Sequence, residues 1–196
     1  MKPIAESCLQ NQAEIYSVLK TLLTNKKHVL EIGSGTGQHA VYFAKRMPHL
    51  IWQTSDQQHY HEGIQLWLNE ANLNNTPAPI KLDVSHDTWP QTRSDVVFSA
   101  NVVHIMAWNN VIDYVSKSAQ ILTKEGLFIL YGPFNYNNDY TSPSNRNFDQ
   151  WLKSRDPNSG IRDFEALNNL ATKYGLSLAH DIEMAANNRI ICWQKN

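Results

Sequence analysis

The sequence predicts an α/β fold, a mostly parallel sheet covered by helices on both faces and finished by a C-terminal antiparallel hairpin. Three observations carry this expectation. Short, continuously apolar runs alternate with segments of helical period, the pattern of buried parallel strands and their covering helices. The first apolar run ends directly in a glycine-rich turn, Gly33-Ser-Gly-Thr-Gly37. The last two runs are separated only by residues 185–188, too few for the crossover that parallel strands need.

In chain order, Ile15, Val18, Leu19 and Leu22 mark one face of a first helix, and His28–Ile32 is the first strand. Val41, Phe43 and Ala44 mark the second helix. Residues 50–52 open a second strand that ends at Asp56. Ile64, Trp67 and Leu68 mark the third helix, residues 82–84 end a third strand, and residues 95–98 make the fourth. Val111, Val115, Ser118 and Leu122 follow one helix face. Residues 123–126 read as a turn feeding a fifth strand at 127–131. From there the texture changes. Residues 133–147 are rich in Asn, Tyr, Ser and Pro with little apolar period, which predicts a long loop of the kind that forms lids or binding sites. A helix near 163–174 and strands at Leu176–Met184 and 189–194 bring the sheet to seven strands.

Composition narrows the function classes. The chain has 196 residues, 42% hydrophobic and 18% charged, an ordinary globular balance that suits one domain. Seventeen Lys plus Arg offset eighteen Asp plus Glu, with no basic run, so neither nucleic acid nor an anionic membrane is an expected partner. Cys8 and Cys192 sit at opposite ends without a pairing motif, which argues against a disulfide framework or a cysteine zinc site and fits a reducing compartment. The first residues show no apolar leader segment, and the longest near-apolar stretch, residues 96–108, is too short to span a bilayer. A soluble, cytoplasmic protein is expected. His59-Gln-His61 lacks further ligands for a metal, and no metal is expected.

The strongest local signal is Glu31-Ile-Gly33-Ser34-Gly35-Thr-Gly37, a strand running into a glycine loop and then a helix. Glycines there permit positive φ and let backbone N–H groups approach a ligand. A dinucleotide fingerprint would need Gly or Ala at position 38, which is Gln. A phosphate loop would need a Gly-Lys-Ser/Thr ending, which is absent. The spacing Glu-x-Gly-x-Gly-x-Gly resembles motif I of class I S-adenosylmethionine-dependent methyltransferases. Asp56, at the end of the second strand, can accept hydrogen bonds from vicinal ribose hydroxyls or stand solvated. Asp83, beside Val84, can accept from an adenine amino group or cap a turn. Glu31, inside an apolar strand, calls for a partner, either a ligand ammonium or backbone donors around it.

The whole chain is also similar to one uncharacterised family, that of methyltransferase-like protein twenty-six and its bacterial relatives. The matching stretches begin with Gly33-Ser-Gly-Thr-Gly-Gln-His39, Trp52-Gln-Thr-Ser-Asp56, Leu82-Asp-Val84 and Val97-Phe-Ser-Ala-Asn101 with His104-Ile105. They continue through Leu130-Tyr-Gly-Pro-Phe-Asn135, Tyr140-Thr-Ser-Pro-Ser-Asn145, Phe148-Asp149, Arg155-Asp-Pro157, Gly160-Ile-Arg-Asp163 and Ala186-Asn-Asn188. Where family members carry a Glu-Arg-Asn string near the amino terminus, only Asn11 corresponds here. The resemblance implies a Rossmann-like methyltransferase fold and the cofactor S-adenosyl-L-methionine, with S-adenosyl-L-homocysteine as product. It divides the single domain into a helical segment (1–26), a cofactor-binding core (27–132) and a substrate-side loop, helix and hairpin (133–196).

On that basis the cofactor residues are Asn11, Glu31, Gly33, Ser34, Gly35, Gly37, Asp56, Asp83, Val84 and Asn101. Methyl transfer from a sulfonium is an in-line displacement, so positioning carries much of the acceleration and a base is needed only if the acceptor sheds a proton. His104 is the catalytic candidate, to orient or deprotonate an acceptor, with a structural histidine as the alternative. Tyr131, Asn135, Ser144, Asn145, Arg155, Arg162 and Asn187 form the candidate substrate set. The two arginines can grip a carboxylate or phosphate in a fork, or pair with Asp156 and Asp163. The expected activity is methylation of a small molecule. The alternatives are a cofactor-binding module without transferase activity, acting as a partner or regulator, and, more remotely, a nicotinamide oxidoreductase.

Overall fold

A computed structural model describes residues 2–196. The backbone divides into two compact units, one ending at Phe98 and one running from Ser99 to Asn196. The strands form one seven-stranded sheet in the order β3-β2-β1-β4-β5-β9-β8, numbered along the chain. β9 runs antiparallel to both of its neighbours, β5 and β8.

The first unit holds α1 (Glu6–Leu22), β1 (His28–Ile32), α2 (Gln38–Arg46), β2 (Ile51–Asp56), α3 (His61–Ala71), β3 (Ile80–Lys81) and most of β4 (Ser94–Ala100). Parallel pairing sets His28 opposite Ile51 and Glu31 opposite Thr54, with Val29 opposite Val96 on the other side. Four of the five β1 residues are buried, as a central strand requires. One face of this sheet packs against α2, where the rings of Phe43, Trp52 and Phe98 meet with centroids 5.2–6.0 Å apart. Gly37 starts α2 in the left-handed region, and a β-carbon there would press within 3.2 Å of Ile64 on α3. Position 37 therefore needs glycine for its φ and for its space. The third strand is shorter than expected. Residues 82–84 lie outside it, although the Leu82 amide still bonds the Asp56 carbonyl, and no helix occurs between β3 and β4.

The second unit begins with a 3-10 turn at Val103–Ile105, then α4 (Trp108–Ile121) and β5 (Leu122–Gly132). Leu122 therefore opens a strand instead of ending the helix face, and residues 123–126 belong to that strand, broken by a left-handed Glu125. The region predicted as a loop holds β6 (Phe134–Asn135) and the start of α5 (Pro143–Arg155). Ser142 caps α5 by accepting from the Asn145 amide, and Pro143 occupies its first turn. β6 pairs with β7 (Arg162–Asp163) in a separate two-stranded sheet. Asp163 then caps α6 (Phe164–Lys173), which leads to the expected hairpin of β8 (Leu176–Met184) and β9 (Asn188–Lys195). In the core of this unit Phe128 packs edge-on against Tyr114 and at a tilt against Trp193.

Candidate functional site

In the first unit the glycine loop and the ends of β1 and β2 bring together most of the expected cofactor residues. Gly33, Gly35 and Gly37 all adopt positive φ, which turns the chain sharply from β1 into α2. The Gly35 amide donates to Asp56 Oδ2 at 2.7 Å, and the Gln57 amide donates to Oδ1 at 2.8 Å. These two bonds orient the carboxylate and leave lone pairs for further donors. A β-carbon added at Gly35 would meet nothing within 4 Å, so the backbone there borders open space.

Glu31 is buried beneath the loop, and its Oε2 accepts from the Ser34 hydroxyl at 3.0 Å and the Trp52 indole at 3.1 Å. Trp52 lies two residues from Thr54, the register partner of Glu31, so period-two alternation places it diagonally across the same face. Burial pushes the Glu31 carboxyl up to about 7 against those two donors, and the Asp56 charge adds to the rise. Asp56 is also raised by burial, despite its two backbone donors. Asp83 behaves differently. Its slight burial acts upward, but the Ser85 amide and the His86 ring and amide outweigh it and hold the carboxyl below its ordinary value. It bonds Gln57 Nε2 as well, at 3.1 Å. Val84 is buried next to it.

Asn11 joins the same region from α1, its Oδ1 2.7 Å from His39 Nε2. His39 was not anticipated. Burial holds its imidazole down at about 4, so it is neutral, and its ring stacks on Phe43. Gln38 also emerges only in the fold: its Oε1 accepts from the Ala5 amide at 2.5 Å, while its buried Nε2 has no partner. No local signal joins Asn11 to His39 or Ala5 to Gln38, because 28 and 33 residues separate them.

The second unit holds the remaining candidates. Asn101 has a left-handed φ of 61°, and its amide donates to the carbonyl of buried Tyr131 at 2.8 Å. His104 is buried with its ring edge-on to Phe148, and desolvation, with the Arg162 charge, lowers it to about 4. Ser144, Asn145 and Asn187 come together: Asn145 Nδ2 donates to the Asn187 carbonyl at 3.1 Å, and Asn187 Nδ2 donates to the Ser144 hydroxyl at 3.2 Å. Asn135 Oδ1 is buried without a partner. Arg162 donates to the backbone carbonyls of Val103, Met106 and Asn158. Arg155 is exposed and lies over the Trp151 ring at 4.8 Å.

Asp149 is the residue that motif reading underrated. Fully buried on α5, it accepts from Lys153 Nζ at 2.6 Å, the Tyr140 hydroxyl at 2.7 Å and the Ile161 amide at 2.7 Å. Burial alone would raise its carboxyl, but the Lys153, Tyr140 and Ile161 donors prevail and lower it. The segment it anchors reaches the 3-10 turn through the Gly160 amide, which donates to the His104 carbonyl at 2.8 Å. The Asp149/Lys153 spacing of i, i+4 was the signal available in the sequence. Both cysteines are free thiols. Among the described residues no helix is long and apolar enough to cross a membrane, and no three His, Cys, Asp or Glu side chains are grouped to hold a metal ion.

The strand order, with its C-terminal antiparallel hairpin, is that of the class I methyltransferase fold. Solved structures share it. The chain is similar to an O-methyltransferase family protein from Burkholderia thailandensis, with a TM-score of 0.85 and 11% identity over 97% of this chain and 58% of that one. An O-methyltransferase family 2 protein from Planctomyces limnophilus, in complex with apigenin, matches with a TM-score of 0.77 and 14% identity over 94% and 62%. Human N-acetylserotonin methyltransferase, in complex with SAM, matches with a TM-score of 0.78 and 13% identity over 95% and 52%. This chain therefore spans between about half and three-fifths of the length of those proteins. It belongs to the family described as Protein of unknown function (DUF938), whose profile matches residues 2–195.

Proposed function

We propose that this protein is an S-adenosylmethionine-dependent methyltransferase acting on a small molecule. The observation that carries the proposal is the Asp56 carboxylate, fixed by the Gly35 and Gln57 amides at the end of β2 with acceptor capacity to spare. The residues present suit the cofactor. Asp56 would take its ribose hydroxyls, Asp83 and Val84 its adenine, and the Gly33–Gly37 backbone with Ser34 its methionyl part. Glu31 would favour its ammonium from beneath the loop, while Asn11 holds the loop side of α2 through His39. When bound, the cofactor supplies an electrophilic methyl group on a sulfonium, and S-adenosylhomocysteine is the product.

In the second unit, Asn101 would contribute to the cofactor. His104, neutral down to about pH 4, would orient an acceptor hydroxyl or amine as a hydrogen-bond partner. Asn135, with its buried unpartnered Oδ1, and the Ser144/Asn145/Asn187 group would supply polar contacts to that acceptor, alongside Tyr131. Arg155 and Arg162 remain in the proposed substrate set, with Arg162 acting from a position already braced by backbone carbonyls. The balanced charge supports a small acceptor over nucleic acid, and a cytoplasmic setting goes with this reading. The motifs from Gly33 to Asn188 support placement beside methyltransferase-like protein twenty-six.

A second reading, a cofactor-binding partner or regulator without transferase activity, is favoured by one observation. The Arg162 guanidinium and the Asn145 amide, both candidate substrate contacts, are engaged in internal hydrogen bonds. Calorimetric titration with S-adenosylmethionine and S-adenosylhomocysteine tests the shared premise. Micromolar binding is expected, weakened at least about tenfold in Asp56→Ala. If neither ligand binds the wild type, the methyltransferase reading and its alternative both fail.

A further inference from the structure

In the first unit, the residues that precede α1 run as a strap from α3 to the glycine loop. Gly63, Trp67 and Glu70 stand at i, i+4 and i+7 on α3, so they share one face of that helix. The strap lies along this face. The Trp67 indole donates to the Pro3 carbonyl at 2.7 Å, and the Lys2 ammonium sits 3.5 Å from the centre of the Trp67 ring. Lys2 also meets Glu70 at 2.6 Å, but Glu70 is mostly exposed, so that pair adds little. A β-carbon at position 63 would come within 2.8 Å of Pro3 Cγ, so glycine there gives the proline ring its seat.

From α3 the strap passes to the start of α2, where the glycine loop ends. The Ala5 amide donates to Gln38 Oε1, which also accepts from the Thr36 hydroxyl at 3.0 Å. In the first turn of α1 the Cys8 thiol, part-buried, sits 3.9 Å from His39 Nδ1. Burial, and then the Glu31 charge, push this thiol up to about 11 against the Ser7 and Thr36 side chains, which places Cys8 beside the loop. Gln38 Nε2 is buried and has no acceptor among the described residues. Such an orphaned donor costs stability that water restores once the strap lifts. The closed strap is therefore held by few bonds and opposed by one desolvated donor, the balance of a segment that opens locally.

We propose, on the methyltransferase reading, that residues 2–8 are a gate at the glycine-loop end of the cofactor site, seated on Gly63 and Trp67 and latched by the Ala5 amide on Gln38. That reading sets the methionyl part of the cofactor against the Gly33–Gly37 backbone, and Gln38 follows directly on this loop. Closure excludes water from the loop, which strengthens the attraction between a charged ligand and Glu31 with the loop amides. A ligand there binds the closed form more tightly and shifts the strap toward it. Opening hydrates Gln38 and lets the ligand exchange. Gly63 and Trp67 stand apart from every residue assigned to the cofactor or the acceptor, so they act on the ligand only through the strap and are positioning residues.

The test uses the full chain and reads opening from the rate at which Cys8 reacts with a disulfide reagent, dithiobis(nitrobenzoate), with the fully buried Cys192 as internal control. Saturating S-adenosylhomocysteine should slow the Cys8 reaction of the wild type about fivefold or more. Gly63→Ala, which unseats Pro3, and Trp67→Phe, which removes the indole donor, should each speed the reaction of the free protein about fivefold and hasten ligand dissociation by a similar factor. Alanine suits a helix and phenylalanine keeps a ring, so both variants should fold, and an unchanged Cys192 rate checks this. The gate is overturned if calorimetry shows S-adenosylhomocysteine bound while the Cys8 rate stays constant, or if both variants react and release ligand as the wild type does. Shielding of Cys8 by the ligand alone would give that second result. If the wild type binds no S-adenosylhomocysteine, the methyltransferase reading fails and the gate fails with it.

Discussion

Buried carboxylates occur in both units, and their surroundings are opposite. In the first, Glu31 and Asp56 are desolvated but sparsely supplied with donors, and burial raises both. In the second, Asp149 is equally buried yet takes an ammonium, a phenol and an amide, which together lower it. Donor count separates the two kinds. A carboxylate left short of partners is positioned to receive a ligand's hydroxyl or ammonium. One saturated by its own chain is a brace. The contrast supports the proposed ligand-binding role of the glycine-loop acids and sets Asp149 apart as a brace of its own segment.

The largest expected effect falls on the brace. Asp149→Ala strands the Ile161 amide and the Tyr140 hydroxyl, and at about 1–3 kcal/mol for each orphaned group the loss should be roughly 4 kcal/mol. Urea unfolding measures it, and S-adenosylmethionine affinity at a temperature where the variant stays folded should change little. A loss below about 1 kcal/mol would remove the contrast on which the assignment rests.

Next comes the pH response of Glu31. Its carboxyl titrates near 7 in the folded protein against 4.5 when exposed, so the fold holds a proton that the unfolded chain releases. The stabilisation from that proton is complete below about pH 4.5 and is lost as the pH rises to about 7. Glu31→Gln should abolish this slope, a difference between the two proteins on the order of 3 kcal/mol across the window. His39 and His104, lowered from 6.5 to about 4, lose stability in the opposite direction as the pH falls, and they cancel in the difference. Asp149 has the sign of an ordinary braced acid: its contribution is present above 3.8 and disappears as the pH falls through its lowered value.

The smallest effect is expected at Arg155. Exposed and lying over Trp151, it should cost no more than about 0.5 kcal/mol when changed to Ala, read from the same urea curves. A loss of acceptor turnover with unchanged stability would place it in the substrate site, and the comparison would then extend to a third, surface class of charge.

The first unit was the more legible because its signals are local. A run such as Val29-Leu-Glu-Ile32 reads as a buried strand from its own residues, the glycine spacing follows without interruption, and Asp56 is found by counting to the end of the next strand. The hairpin was legible from its short connection for the same reason. Helix α5 was missed because its composition, from Ser144 through Asn147, is polar enough to resemble a loop, although Ser142-Pro143 is a start signal. The truncated third strand was misread because Leu82 and Val84 are buried apolar residues that follow directly on the paired Ile80–Lys81.

The sequence by itself determined the alternation of strands and helices through the first unit, the glycine turn and the acid at the end of β2, since each depends on periodicity or backbone freedom within a few residues. The tertiary structure alone decided which acids are satisfied. Glu31 meets Trp52 and Ser34, Asn11 meets His39, and Asp149 meets Ile161. The physical reason is that desolvation and hydrogen-bond supply are properties of a place in space, and the partners that set them come from strands and helices far apart in the chain.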